Sequence, residues 1–337
     1  MRPTLADVAK LAGVSVATAS RALSNPDLVA DGTRRAVRDA AASCGYKINL
    51  VARSLRIQRT DTLLVLAPCI DNSFYPGLVH SIEHAALAMG YAIIVGFTNK
   101  TDKYREAYGE LLSAGRVDGM VVMDGGSGVD RFTGPRPDLP IVQVFDQIYE
   151  SPVPVVRIDE QQVADLAVRH LASMGHRRIA HIAGATDAPS ARQRRNGYTA
   201  AMARLGLPVD DHLVRNGHGH REGAVEAMKE LLDLPQAPTA VFCASDSMAC
   251  AAMDVCRDRG IHVPGDISLI GADGTCDGEH VYPSLTTVDV PRAEAGVLAV
   301  EKLVGLIRGQ AVASDTMLPV ELKLRGSCAP TRTAVAA

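Results

Sequence analysis

From Leu63 onward the chain alternates short apolar runs with longer helical ones, and this alternation constrains the fold more than any other feature. "LLVLA", "YAIIVGF", "GMVVM", "IVQVF", "VVRID", "RIAHIAG", "AVFCA" and "ISLIGAD" are continuous apolar stretches of strand length. Between them lie runs such as "GLVHSIEHAALAMG" and "AVEAMKELLD", with apolar residues at helical spacing. Strands buried on both faces and separated by helices imply parallel sheets with helices on either side. Eight such strands in one stretch of chain predict two doubly wound subdomains rather than one wide sheet. Polar groups should then gather at the carboxyl ends of strands, in the crevice between the halves. Asp71, Asp124, Asp146, Ser245, Asp246 and Asp273 fall at such positions.

The first sixty residues have another character. "LADVAKLAGVSVATASRAL" places Leu5, Val8 and Ala9 on one helical face, breaks at Gly13 and begins a second periodic run after the hydroxyl of Ser15. Two short helices joined at a glycine, the second with a hydroxyl cap, predict a helix-turn-helix. "DGTRRAVRDAAASCGYK" reads as a third helix, with Val37, Ala40, Ala41 and Cys44 inward, Arg34, Arg35 and Arg38 outward, and Gly45 as its stop. "INLVARSLRIQRTD" carries Arg53, Arg56 and Arg59 and is too short for a stable isolated helix, so it reads as a linker.

Charge divides the chain at the same place. Residues 1–60 hold ten Lys or Arg against four Asp or Glu, a net +6, whereas the remainder holds 25 against 34, a net −9. A basic head on an acidic body suits a head that meets phosphates. In the second helix Val16 and Ala17 can touch thymine methyls, Thr18 and Ser20 can donate to phosphates, and Arg21 can reach a guanine edge.

Other classes find little support. No run of eighteen apolar residues implies a membrane span, and "MRPTLADVAK" lacks a secretory apolar core. Seven cysteines without a C-x-x-C pair read as buried free thiols in a reducing cytoplasm. "HSIEH" at His80–His84 lacks the spacing of a zinc protease, and "DGGSG" lacks the Lys-Ser/Thr of a phosphate loop. No metal, cofactor or catalytic triad is indicated, and an enzyme is not expected. The alternative is a sugar-binding protein or two-domain small-molecule enzyme with a non-functional helical head. It would require a signal peptide or a catalytic constellation, and neither is visible.

"TLADVAKLAGVSVATASRALSNPDLV" with "GYKINLVARSL" resembles the DNA-binding head and hinge of the LacI/GalR family of bacterial transcription regulators. The likeness continues through "RVDGMVV", "LASMGHRRIAHIAG", "QAPTAVFCASDSMA", "VPGDISLIGAD" and "PSLTTVDVPRAEAG", with the cytidine-repressor branch particularly similar. The resemblance implies a three-helix head at 1–47, a hinge helix at 48–60 and an effector-binding and dimerisation body at 61–337 of periplasmic-binding-protein-like α/β form. One body subdomain takes about 61–159 and 290–318, the other about 160–289 and 319–330. It implies a cytoplasmic homodimer on double-stranded operator DNA, contacting it through Thr4, Val16, Ala17, Thr18, Ser20, Arg21, Asn49 and Arg53, with Leu55 wedged between base pairs.

A sugar or nucleoside effector would control operator affinity. Its expected ligands are Asp71, Phe74, Tyr75, Asp146, Asp159, Arg194, His218, Asp246 and Asp273. Carboxylates accept hydroxyl donors and an arginine supplies the complementary donors. "GADG" at 271–274 and "LAPCIDNSFY" depart from the family pattern at this site. No leucine-heptad tail follows "LKLRGSCAPTRTAVAA", so a dimer is expected over a tetramer.

Overall fold

The computed structural model describes residues 3–24, 26–46, 59–70, 72–98, 102–123, 138–145 and 152–331. They form two compact units that part between Thr60 and Asp61.

In the smaller unit, helix α1 (Leu5–Leu11) begins with a reciprocal cap: the Thr4 hydroxyl accepts from the Asp7 amide, and the Thr4 amide donates to the Asp7 carboxylate at 2.8 Å. Gly13, at φ +66°, takes the left-handed conformation the turn requires and lets the Val14 amide reach the Ala9 carbonyl at 3.0 Å. The Ser15 hydroxyl then accepts from the Thr18 amide at 3.1 Å and opens α2 (Val16–Ser24). Helix α3 (Asp31–Cys44) closes at Gly45, where the Tyr46 amide returns to the Ala41 carbonyl. Val8, Ala9, Ala19, Ala22, Val37, Ala40 and Ala41 form the core. It is mostly alanine because three short helices must approach closely. Cys44 is only half-buried.

The larger unit has the expected α/β architecture, in two six-stranded sheets. Its strands are β1 (Thr62–Ala67), β2 (Ala92–Phe97), β3 (Gly119–Val122), β4 (Ile141–Val144), β5 (Val155–Ile158), β6 (Ile179–Ala183), β7 (Val214–Asn216), β8 (Ala240–Cys243), β9 (Ser268–Asp273), β10 (Thr286–Asp289), β11 (Asp315–Leu318) and β12 (Glu321–Lys323). One sheet runs β11-β5-β4-β3-β1-β2 and is parallel throughout. The other runs β12-β10-β9-β8-β6-β7 and is parallel except for β12 against β10.

The helices are α4 (Phe74–Ala88), α5 (Asp102–Ser113), α6 (Glu160–Ser173), α7 (Pro189–Arg204), α8 (Arg221–Leu232), α9 (Asp246–Asp258), α10 (Cys276–His280) and α11 (Arg292–Ile307). Helix α11 packs on α4 and across β3, β4 and β5, whereas α6 packs on α7 and α8 on α9. The chain passes between the sheets three times, after β5, after β10 and between β11 and β12. Gly197 brings α7 against α6: a Cβ there would lie 2.7 Å from the Gln161 Cα and carbonyl oxygen. His80 and His84 lie on the exposed face of α4. Among the described residues no helix is long and apolar enough to cross a membrane, and Cys243, Cys250 and Cys256 are buried thiols while Cys69 and Cys328 are half-buried.

His181 of β6 is a polar side chain in the apolar interior, fully enclosed and stacked between Tyr198 and Phe242 at ring separations of 5.1 and 4.8 Å. Its Nδ1 bonds the Phe242 carbonyl at 2.9 Å and is therefore the protonated nitrogen, while Nε2 meets no partner among the described residues. Burial lowers the imidazole from 6.5 to about 4, against the Phe242 hydrogen bond, which favours the charged ring. Between those values the unfolded chain binds more protons than the folded one, so this group's share of stability is lost as pH falls from 6.5 towards 4. His181→Phe should remove that loss, worth about 3 kcal/mol at pH 4. Urea unfolding of both proteins at pH 7 and pH 5 checks it: parallel changes in the two would rule out the imidazole as the source.

Candidate functional site

Strands of a parallel sheet all end on one side, and their following loops must leave room for the next helices to begin. In the larger unit the carboxyl ends of the two sheets open into a shared cavity of about 510 Å³, lined by Pro68 after β1, Met123 after β3, Phe145 after β4, Gly184 after β6, Ala244 after β8 and Asp273 at the end of β9. The first turns of α4, α6, α7, α8 and α9 supply further lining.

One wall is aromatic. Phe74 meets Tyr75 edge-on at 5.3 Å between centroids and Phe145 at the same distance, tilted. The Arg292 guanidinium lies over the outer face of Phe74, 5.7 Å from its centroid, while its Nη2 donates to the Gly274 carbonyl at 2.7 Å. Arg292 thus ties the aromatic wall to the turn that follows β9. Across the cavity His218 stacks on His220 at 5.8 Å and 18°. His218 is held at φ +55° by its amide bond to Asn216 Oδ1.

The floor is ionic. Arg194 projects from α7, its Nε donating to Glu160 and its Nη1 to the Ala244 carbonyl and to Asp273 Oδ1 at 3.2 Å. All three charged groups are buried. Desolvation alone would lower the guanidinium, but Glu160 and then Asp273 outweigh it and keep Arg194 charged. One cation cannot neutralise both carboxylates. Burial therefore pushes Asp273 up to about 7 against the pull of Arg194, with Asp246 adding to the rise. Asp273 also sits at φ +114°, a backbone conformation rarely adopted by a residue with a side chain.

The cavity brings together Phe74, Tyr75, Arg194, His218 and Asp273 of the expected set. Asp159 and Asp246 are not among its lining residues. Asp159 Oδ1 accepts from the Gln161 and Gln162 amides at 2.9 and 3.0 Å and caps α6. Both oxygens of Asp246 are taken by Thr287 and Thr275, a fully protein-bonded carboxylate that burial still pushes up to about 6. Helix caps and turn bonds have claimed these two aspartates, and Glu160, one residue beyond the cap, takes the expected place of Asp159. Asp71 and Asp146, with Asp124, lie outside the described residues. Glu160, Phe145, His220 and Arg292 are additions. The N-cap rule applied to "IDEQQ" marks Asp159 as the cap of α6 and so removes it from the expected set, but it does not by itself point to Glu160.

In the smaller unit Val16, Ala17 and Arg21 are exposed on α2, while Ala19 and Ala22 face the core. Thr18 is half-buried, its hydroxyl 2.8 Å from that of Ser15, and Ser20 is half-buried. Thr4 is engaged in its cap to Asp7. Asn49, Arg53 and Leu55 lie outside the described residues.

Comparison with known proteins is consistent along the chain. Residues 4–49 match the model of bacterial regulatory proteins of the lacI family, and residues 168–328 match the periplasmic binding protein-like domain. The chain is 36% identical to the HTH-type transcriptional repressor CytR of Escherichia coli (strain K12), over 96% of each chain. It is 34% identical to the HTH-type transcriptional regulator DegA of Bacillus subtilis (strain 168), covering 99% of this chain and all of that one. Among solved structures, the Lac repressor dimer bound to operator and the anti-inducer ONPF aligns with a TM-score of 0.86 at 28% identity, over 98% of this chain and all of the other. The transcriptional regulator CelR–cellobiose complex aligns with a TM-score of 0.74 at 32% identity, over 97% and 100%. The chain belongs to the LacI family of bacterial regulatory proteins, and is a DNA-binding transcription regulator rather than an enzyme.

Proposed function

We propose that the chain is a cytoplasmic repressor that binds a near-palindromic operator as a homodimer, and that a sugar or nucleoside in the cavity controls its operator affinity. The observation that carries the reading is a cavity with an aromatic wall and the Arg194–Glu160–Asp273 floor, in a chain that also presents Val16, Ala17 and Arg21 on an exposed helix. Rings stack on the wall, and hydroxyls find acceptors at the floor. The solved relatives agree in kind, one bound to operator and the other to cellobiose. Support for a second copy comes from β2, an edge of its sheet among the described strands, which exposes Ile94, with Leu87 also exposed near the end of α4, since an apolar sheet edge invites pairing. Asn49 and Arg53 are assigned to DNA positioning and Leu55 to the wedge.

A ten- to hundredfold change in operator affinity requires roughly 1.4–2.7 kcal/mol of coupling between effector and DNA. The test is selection of bound sequences from a random duplex pool, followed by titration of the winning operator with and without cytidine, ribose and cellobiose. Arg21→Ala should weaken that operator by roughly 1–3 kcal/mol, and removal of residues 1–60 should abolish binding altogether. Failure to enrich any sequence would sink the repressor reading. An operator affinity indifferent to every compound that binds the body would sink the control.

A further inference from the structure

Helix α4 has two distinct faces. Phe74, Leu78, Ile82, Ala85 and Ala86 are buried, whereas His80, Glu83, His84 and Leu87 are exposed. Residues four apart in a helix stand one turn on, so the two imidazoles leave the same side, one above the other. Their ring centres are 6.3 Å apart with planes at 57°, and Glu83 Oε2 lies 4.0 Å from His80 Nδ1. The order His-Ser-Ile-Glu-His is not that of an H-E-x-x-H helix. It nevertheless keeps two imidazoles at the one-turn spacing by which such a helix shares an ion between them.

Distances decide whether these two rings can do the same. An ion bound about 2.0–2.1 Å from an imidazole nitrogen lies roughly 3.2 Å from that ring's centre. Two rings sharing one ion can therefore have centres up to about 6.4 Å apart, and a tetrahedral angle at the ion asks for about 5.2 Å. The observed 6.3 Å is inside the limit and about 1 Å from the tetrahedral value. Side-chain rotation supplies that closure readily at exposed positions, and the His80 side chain is 78% exposed.

We infer that His80 and His84 form a chelating site for an exchangeable divalent transition-metal ion, of the class of Zn²⁺ or Ni²⁺, on the outer face of α4. Imidazole nitrogens suit these borderline metals, whereas Mg²⁺ and Ca²⁺ seek oxygen ligands. Glu83 places a negative charge beside the ion. As the side chains stand, no third ligating group gathers with the pair among the described residues. Structural zinc sits in closed four-ligand sites, so an exposed pair with open positions suits an ion that exchanges with solvent.

The experiment is calorimetric titration of the full chain, free of any histidine tag, with Zn²⁺ and with Ni²⁺ in excess Mg²⁺. A saturable event should appear that His80→Ala and His84→Ala each weaken by roughly tenfold or more. The double substitution should add little to either single one, because a lone imidazole no longer chelates. Glu83→Gln should weaken binding severalfold. Alanine favours an exposed helix position, so in metal-free buffer the histidine variants should unfold as cooperatively as the parent. EDTA should remove the ion from the parent without unfolding it. Absence of a saturable event, or one undiminished in the double variant, overturns the site. Fully additive losses from the two single substitutions overturn the sharing of one ion. Displacement by Mg²⁺ overturns the metal class, and an affinity unmoved by Glu83→Gln overturns the part given to its charge.

Discussion

Arg194→Met should cost the larger unit about 3–5 kcal/mol and abolish effector binding. Methionine fills much of the same space but leaves Glu160 and Asp273 side by side in a buried floor without their shared cation. Removing one partner of a buried ionic network is expensive because the other charges stay desolvated. A fall of roughly 5–15 °C in Tm follows for a unit of this size. The variant should also acquire a pH signature. Asp273 already titrates at about 7, above its ordinary 3.8, so the folded chain binds more protons than the unfolded one between those values and this group's share of stability is lost as pH rises. Without the guanidinium the carboxyl is pushed higher still, and the variant should lose more stability between pH 5 and pH 8 than the parent does. Differential scanning calorimetry at the two pH values decides it. Equal Tm deficits at both would mean that Arg194 acts through packing alone.

Val37→Asp should unfold the DNA-binding head and leave the larger unit unchanged. Val37 is fully buried in a core of seven side chains, five of them alanines. A head of some sixty residues has about 3–9 kcal/mol of stability in total. An unpaired carboxylate in that core costs several kcal/mol, enough to consume most or all of it. Operator binding should disappear in a gel shift, while the Tm of the larger unit and its ligand titrations stay where they were. Their survival distinguishes loss of the head from general misfolding, because the two units are separately compact. Retained operator affinity would show that the three-helix core is not required for DNA binding.

Much of this molecule is legible from its amino acids, for identifiable reasons. Runs such as "LLVLA" and "AVFCA" declare buried strands because they are apolar throughout and too short, between turn signals, to make a helix. Gly13 and Ser15 declare a helix-turn-helix because a left-handed turn and an amide acceptor are each supplied by few residue types. The cavity is harder to read. An aspartate at a strand end can cap the next helix, bond a neighbouring threonine or face the ligand, and sequence weighs these outcomes equally. Asp159 caps α6, Asp246 bonds Thr275 and Thr287, and Asp273 lines the cavity beside Arg194. Phe145 and Arg292 are invisible as site residues because their roles depend on which strands end together and on a tie between segments far apart in the chain. The face of α2 was legible from its short side chains and Arg21, but the capping bonds of Thr4 and Ser15 show that hydroxyls near a helix start serve the backbone first.

The threefold passage of the chain between the two sheets has a consequence for synthesis. Neither sheet is a contiguous piece of chain. The first lacks its edge strand β11 and its covering helix α11 until residue 318 has been made, and the second lacks β12 until residue 323. Between the completion of β5 at residue 158 and of α11 at residue 307, a growing chain therefore carries five parallel strands without all of their covering helices, and unpaired strand edges in such a state are prone to aggregate. The head is complete by residue 46 and can fold on the ribosome long before the larger unit does. A ribosome stalled near residue 280 thus presents a complete three-helix head on a larger unit that still lacks α11 and the strands β10, β11 and β12.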